Sequence, residues 1–318
     1  MRKIVTLIIL ITFILAVIGT YNYYTTMENT VIIGYLPSDH HSALFVANAK
    51  DMYEKEGIRV QLVPFSAGPE IIQALNNGEI DVGYCGISPT ISAIDNGTPI
   101  KIIAAVNQDG SAIVVNKNSN ITNISDLKNK TIAIPQKGSV QDVLLKYTLI
   151  NNNISLNDVN IVQSDVPYMP KSLLFNKFDA YVAWEPYPSA SQIDDNQTIL
   201  AYSEDLWDNQ PCCVIVTTDN YAKNHPNKIE KILKVHIEAT NYINSHKDET
   251  AVIVSNKLGT DVNVEKESLQ HVDFISIPSD EFINNVLKMV EIQKKLGYTK
   301  NNLTKDQLFN LQYIKNDS

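Results

Sequence analysis

Gly78-Glu-Ile-Asp-Val-Gly-Tyr-Cys-Gly-Ile-Ser-Pro89 and Lys177-Phe-Asp-Ala-Tyr-Val-Ala-Trp-Glu-Pro186 are two versions of one pattern. In each, an Asp precedes a short apolar strand, Ile80 to Tyr84 or Phe178 to Ala183, and a Pro follows a candidate helix cap, Ser88 or Glu185. Proline suits a first helical position, because the N–H it lacks would have no partner there. Each copy therefore predicts a helix N-terminus, with free N–H groups and partial positive charge, just beyond a strand end. Either copy alone is an ordinary strand-to-helix turn. Two of them, about a hundred residues apart, predict two similar lobes facing one cleft, since open α/β sheets bind ligands beyond the carboxyl ends of their strands.

The flanking chain carries the same alternation. Val31 to Leu36 reads as a buried strand ending at Pro37-Ser38, and Ser42 to Glu56 as a helix stopped by Gly57. Ile58 to Pro64, the helix Pro69 to Asn77, the motif strand and Ile100 to Val106 complete a β-α-β-α-β-α-β run, the signature of a parallel sheet with crossover helices. Asn107-Gln-Asp-Gly-Ser111 reads as a polar break before another strand, Ala112 to Val115, and Ile121 to Lys130 as a crossing between lobes. A second lobe follows: strand Thr131 to Ile134, helix Val140 to Asn151, strand Val159 to Gln163, helix Pro167 to Phe175 and the second motif. Gly138-Ser139 before a helix, with Lys137 beside it, is an anion-friendly N-terminus, while neither a dinucleotide fingerprint nor a Walker loop is present. Cys212 to Thr217 reads as a return strand, and the remainder as helices packed on the first lobe. The expected domains are a leader over residues 1–26, lobe one over 27–116 plus 212–318, and lobe two over 117–211.

The 318 residues are 44% hydrophobic, with a net charge of −9, enough for two cored lobes and unsuited to nucleic acid. Arginine occurs only at Arg2 and Arg59, so an anion would be held mainly by N–H groups, hydroxyls, amides or lysine. Arg2 and Lys3 precede an apolar run from Ile4 to Ile18, followed by Tyr21, Tyr23 and Tyr24. The run lies between a secretory signal and a membrane anchor in length, and without an A-x-A site an uncleaved anchor is the favoured expectation, with a soluble domain outside the membrane from about Met27. Cys85 falls at a strand end, while the neighbours Cys212 and Cys213 are expected on opposite faces of an extended segment, as structural thiols rather than a disulfide framework. Asp39, His40 and His41 lack a further ligand at metal-binding spacing, so no metal is expected. Asn-x-Ser/Thr sequons recur, Asn96 and Asn120 among them, as chance allows in a chain rich in asparagine.

Gly34-Tyr-Leu36, Leu75-Asn-Asn-Gly-Glu-Ile-Asp-Val-Gly83, Asn96-Gly-Thr-Pro-Ile-Lys-Ile102, Ile124-Ser-Asp-Leu-Lys-Asn-Lys-Thr-Ile-Ala-Ile134 and Ala183-Trp-Glu-Pro-Tyr187 together resemble the substrate-binding proteins of nitrate/sulfonate/taurine ABC importers. The resemblance implies a type II periplasmic-binding-protein fold, an α/β architecture of two lobes around a ligand cleft. It implies capture of a small polar or anionic organic solute, delivery to an ABC permease and its ATPase, no catalysis, no cofactor, and a monomer. Carried over, the family's contacts fall on Ser38, Asp39 and His40, on Gly86 to Ser88, on Asn107, Asp109 and Ser111, on Gly138 and Ser139, and on Trp184 and Glu185. Cys85, at the strand end, joins them. The chain departs from sulfonate binders in having no pocket arginine, and Asp39, Asp109 and Glu185 would repel an anion unless protonated or paired. A pyrimidine-type vitamin precursor therefore stays open as the ligand. An enzyme on the same fold, using Asp39, His40, His41 and Glu185 as acid and base, and a ligand-sensing receptor partner are the competing readings.

Overall fold

The computed structural model describes residues 12–14, 30–194 and 196–315. The expected leader lies outside the described residues except for a helical stretch at 12–14, and among the described residues no helix is long and apolar enough to cross a membrane.

Two sheets carry the fold, and their central parts repeat one arrangement. In the first, β1 (Thr30–Tyr35) lies between parallel β2 (Arg59–Pro64) and β3 (Val82–Gly86), and β3 pairs with antiparallel β10 (Pro211–Thr218). Strand β10 continues the sheet to β4 (Ile100–Asp109) and β11 (Val272–Phe274). In the second, β6 (Thr131–Ile134) lies between parallel β7 (Asn160–Gln163) and β8 (Ala180–Trp184), and β8 pairs with antiparallel β5 (Ser111–Asn116), which pairs with β9 (Gln197–Tyr202). The Asp of each motif has one job in both lobes. Asp81 accepts from Ile32 N and Asp179 from Thr131 N, each at 2.8 Å, while their own N–H groups donate to Ile32 O and Thr131 O. Each carboxylate thus prolongs the parallel ladder past its first residue and sets the register of the strand that leads to the cleft.

Crossover helices cover both sheets: α1 (Ser42–Ala49), a single turn α2 (Met52–Lys55), α3 (Gly68–Asn77) and α4 (Ile87–Asp95) in the first lobe, and α5 (Val140–Asn151), α6 (Met169–Leu174) and α7 (Tyr187–Ile193) in the second. Short α8 (Ser203–Leu206) and α9 (Asp219–Asn224) flank β10. Helix α3 starts at Gly68-Pro69 and stops where Gly78 takes a left-handed φ of 72°, the favoured helix stop. Helix α5 is capped by Ser139, whose Oγ accepts from Asp142 N at 3.2 Å. The C-terminal third is helical, in α10 (Pro226–Ser245), α11 (Lys247–Leu258), α12 (Val262–Ser268), α13 (Asp280–Lys295) and α14 (Lys305–Leu308), interrupted by β11. Helix α10 buries Ile229, Ile232, Leu233, His236, Ala239, Thr240 and Ile243, a 3.6-residue stripe, and packs on α1.

Three readings of the sequence need correction. Asn107-Gln-Asp109 is no break: β4 runs through it, paired with β10 and β11, and its polar side chains are buried. The turn is Gly110 alone, at a φ of 78° after 57° at Asp109, and β5 belongs to the second sheet. The chain therefore leaves the first sheet at residue 110 and not beyond 116. The return at Gln210 lies against this point, with Asp109 N donating to Gln210 O at 2.8 Å and Gln210 N to Asp109 Oδ1 at 3.1 Å. Lastly, Cys212 and Cys213 do not face opposite ways. Register shifts on both sides of Cys213 form a bulge in β10, and the two sulfurs lie 3.8 Å apart; one extra residue in a strand re-aims a side chain in this way.

Candidate ligand cleft

A cavity of about 1050 Å³ separates the two sheets. Much of its wall comes from residues at or just beyond strand ends: Leu36 and Pro37 after β1, Phe65 and Ser66 after β2, Gly86 ending β3, Gln136 and Lys137 shortly after β6, Gln163 ending β7 with Ser164 after it, and Trp184 ending β8. Gly68, Gly86 and Ser139 bring the N-termini of α3, α4 and α5 to it. These ends present N–H groups and partial positive charge to the cavity. The indole of Trp184 lines the cavity, and its Nε1–H, shut off from solvent, has no hydrogen-bond partner.

The lobes touch around this cavity through polar pairs. Ser38 Oγ donates to Glu185 O at 3.2 Å, Ser88 Oγ to Gly138 O at 2.7 Å, and Tyr298 OH to the Asp142 carboxylate, which also holds Lys146 Nζ at 2.8 Å. The Gly110 carbonyl accepts from both lobes, from Glu185 N at 2.9 Å and His40 Nε2 at 2.8 Å. Ser88→Ala removes one cross-cleft bond and is expected to cost about 1 kcal/mol in thermal or urea unfolding and to expand the protein in small-angle scattering. An unchanged melt and radius would show that this bond does not hold the lobes together.

Of the residues the sequence singled out, Ser38, His40, Gly86, Gly138, Ser139 and Trp184 line the cavity. Asp39, Cys85, Ser88, Asn107, Asp109, Ser111 and Glu185 are buried in or behind its wall. Asp39 pairs with the Ser268 hydroxyl, Cys85 with Thr90 Oγ1 at 3.2 Å, Ser111 Oγ accepts from Gln141 Nε2 at 2.9 Å, and Glu185 accepts from Ser189 N and Oγ at 3.0 and 2.9 Å. Burial raises all three acids. Glu185 is pushed up to about 8, with Asp39 adding to the rise, Asp109 to about 7, and Asp39 upward against the pull of His40. An acid raised in this way carries negative charge over less of the pH range, which lessens the repulsion an anion would otherwise meet.

His40 also faces Cys212 and Cys213, its Nδ1 lying 3.3 and 3.8 Å from their sulfurs. Burial alone would lower the His40 pKa, yet the Cys212 sulfur pulls it up to about 9. Cys213 and His40 together take Cys212 down to about 5 against its burial, while the Cys213 thiol is pushed up. His41 is driven down to about 3 by burial and by His40, so this neighbour is neutral.

The sequence matches the NMT1-like family over residues 26–257. The chain belongs to that family. A Bacillus subtilis (strain 168) protein, provisionally named an aliphatic sulfonates-binding protein, is 29% identical over 260 residues, 79% of this chain and 77% of its own. Among solved structures, the ligand-binding component of an ABC-type import system from Staphylococcus aureus, with zinc bound, superposes with a TM-score of 0.81 at 18% identity, covering 91% of this chain and 99% of that one. The alkanesulfonate-binding protein SsuA from Xanthomonas axonopodis pv. citri, bound to MOPS, gives 0.79 at 22% identity over 88% and 98%. The fold of this NMT1-like chain is thus the periplasmic-binding-protein fold, with its two sheets and covering helices.

The wall of the NMT1-like cleft also contains residues that sequence reasoning passed over. Phe65, Gln163 and Ser164 lie at strand ends, the signal that identified Ser38 and Trp184, and were legible by the same rule. Cys212, Cys213 and Tyr298 come from the C-terminal third, with no local pattern to mark them.

Proposed function

We propose that this chain is the extracytoplasmic solute-binding component of an ABC importer, and that it captures an organic anion of sulfonate type by closing its lobes. The observation that carries the reading is a cavity between the two sheets onto which three helix N-termini open, with the Trp184 indole in its wall. Donors without acceptors call for an anionic or strongly polar guest. The cavity is far roomier than a nitrate-sized ion needs, its volume of about 1050 Å³ lying just above the usual range for organic ligands, roughly 300–1,000 Å³. Leu36, Phe65, Val140 and Tyr187 add apolar wall for an organic tail. The relatives named for sulfonates, and the MOPS held by one of them, support the same class.

Closure needs no chemistry. A solute touching both lobes favours the closed state by its differential affinity, and the closed monomer then docks on a permease driven by an ATPase. Either an uncleaved anchor or release after signal cleavage would keep it outside the cytoplasm.

Native mass spectrometry of the gently purified protein, followed by thermal shift with taurine, alkanesulfonates, MOPS and nitrate, tests the reading. A solute at about a hundred times its Kd should add about 2.7 kcal/mol of stability. The organic sulfonates are expected to stabilise and to be recovered intact; a guest recovered chemically altered would favour the enzyme reading, and no response to any sulfonate would remove this class. Trp184→Phe keeps an aromatic ring, though a smaller one, and deletes the donor, so affinity should fall at least roughly tenfold, the equivalent of one lost hydrogen bond. Equal affinity in calorimetry would mean the indole N–H points at no part of the guest.

A further inference from the structure

We propose that His40, Cys212 and Cys213 form a binding site for a soft divalent metal ion of zinc type, with one coordination position open to the cleft. The three donor atoms lie within 4.8 Å of one another. Their separations are 3.3 Å from Cys212 Sγ to His40 Nδ1, 3.8 Å from Cys213 Sγ to the same nitrogen, and 3.8 Å between the sulfurs. Tetrahedral zinc, with Zn–S near 2.3 Å and Zn–N near 2.0–2.1 Å, sets its ligands about 3.8 Å apart for two sulfurs and about 3.5 Å for nitrogen and sulfur. The triangle already has the edges of a coordination face.

The surroundings fit the same use. Gly110 O, 2.8 Å from His40 Nε2, can only accept, so Nε2 carries a ring proton and Nδ1 is the nitrogen that faces the sulfurs, where a metal would take the place of the Nδ1 proton. Metal-binding histidines are oriented by this bond from the far nitrogen to a carbonyl. The bulge in β10 brings neighbouring cysteines to one side, where a regular strand would separate them. Asn107, paired with Cys213 in the ladder and in contact with Cys212, is fully buried and its Oδ1 has no partner. That oxygen needs a donor, and a metal-bound water would supply one. Two thiolates and a neutral imidazole cancel a 2+ charge, which suits a buried position, and all three ligands also line the cleft, so ion and solute share an entrance. A plain S–H to N hydrogen bond would account for Cys212 alone; it leaves the aim of Cys213 and the orphaned Asn107 oxygen without a reason.

The test is titration of the chelator-stripped full chain with Co²⁺ and then with Zn²⁺. One Co²⁺ per chain, with thiolate charge-transfer absorption and tetrahedral ligand-field bands that Zn²⁺ abolishes, is the expected result. Cys212→Ser and Cys213→Ser should each weaken Zn²⁺ binding at least a hundredfold, while Cys85→Ser, a buried thiol outside the triangle, should not change it. A six-coordinate Co²⁺ spectrum without thiolate bands, no uptake, or equal affinity in folded Cys212→Ser and Cys213→Ser would overturn the proposal; if either variant fails to fold, the wild-type spectrum decides. Solute affinity is measured separately on stripped protein, so loss of metal and loss of solute are read apart.

Discussion

Gly110→Ala is expected to destabilise the protein by roughly 2–5 kcal/mol, the sum of a strained backbone and a lost buried hydrogen bond. At a φ of 78° an alanine enters the left-handed region, where L side chains cost roughly 1–2 kcal/mol. Its Cβ would also stand 2.5 Å from His40 Nε2 and 2.9 Å from Val272 Cγ2, both in packed surroundings. The His40 ring would have to move, giving up its bond to Gly110 O and stranding a buried donor, a further loss of roughly 1–3 kcal/mol. A melting temperature lower by roughly 10 °C is expected from the usual scaling. Gly259→Ala is the control, because Gly259 has the same kind of φ, 75°, with nothing within 4 Å of the added carbon; it should cost only the backbone share. If the two variants melt together, the crowding at the junction of the lobes is not real. The position matters because Gly110 is the turn where the chain passes from one sheet to the other and its carbonyl is shared by both lobes.

The duplicated lobes were readable because their signals are local. Alternating apolar runs, a Gly or Pro at each turn and an Asp before each motif strand act over a few residues, and Asp81 and Asp179 do the same work in the structure. The reading of Asn107 to Asp109 as a turn failed for the opposite reason: polar side chains mark a turn only when they face water, and here Asp109 is held by Gln210, about a hundred residues on. Within the cleft, strand ends identified Ser38, Gly86 and Trp184, but they could not separate lining from support. Glu185 sits beside Trp184 in sequence and bonds inward to Ser189, while its neighbour lines the cavity, an alternation set by the end of β8 and the following turn. Cys212 and Cys213 needed the bulge to be seen, and a bulge depends on the partner strand's register, which no single sequence displays.

Glu185→Gln is expected to remove a large part of the protein's loss of stability between pH 5 and 8. Burial, then the nearby Asp39, raises Glu185 from 4.5 to about 8, against the bonds from Ser189 and the pull of His40. Asp39 and His40 face it from the first lobe, with Tyr181 and Tyr202 beside it in the second. A carboxyl whose folded pKa lies above its unfolded value holds its proton more tightly when folded. Its contribution is therefore complete below about 4.5 and is lost as pH climbs toward 8, at up to about 1.4 kcal/mol per pH unit. Glutamine keeps the size of the protonated acid and does not titrate. Between pH 5.5 and 7.5, urea unfolding of the wild type should lose up to about 2.7 kcal/mol more than the variant does. Glu265, pushed up to about 8, and Asp109, to about 7, titrate in the same direction and leave a residual slope in both proteins. Parallel curves for wild type and variant would mean that Glu185 is already ionised at pH 5.5, with its charge compensated in the fold. The expected outcome bears on closure as well, since ionising Glu185 opposite Asp39 sets like charges beside the Ser38 to Glu185 contact that joins the lobes; solute retention should accordingly weaken toward pH 8 in the wild type and hold steady in Glu185→Gln.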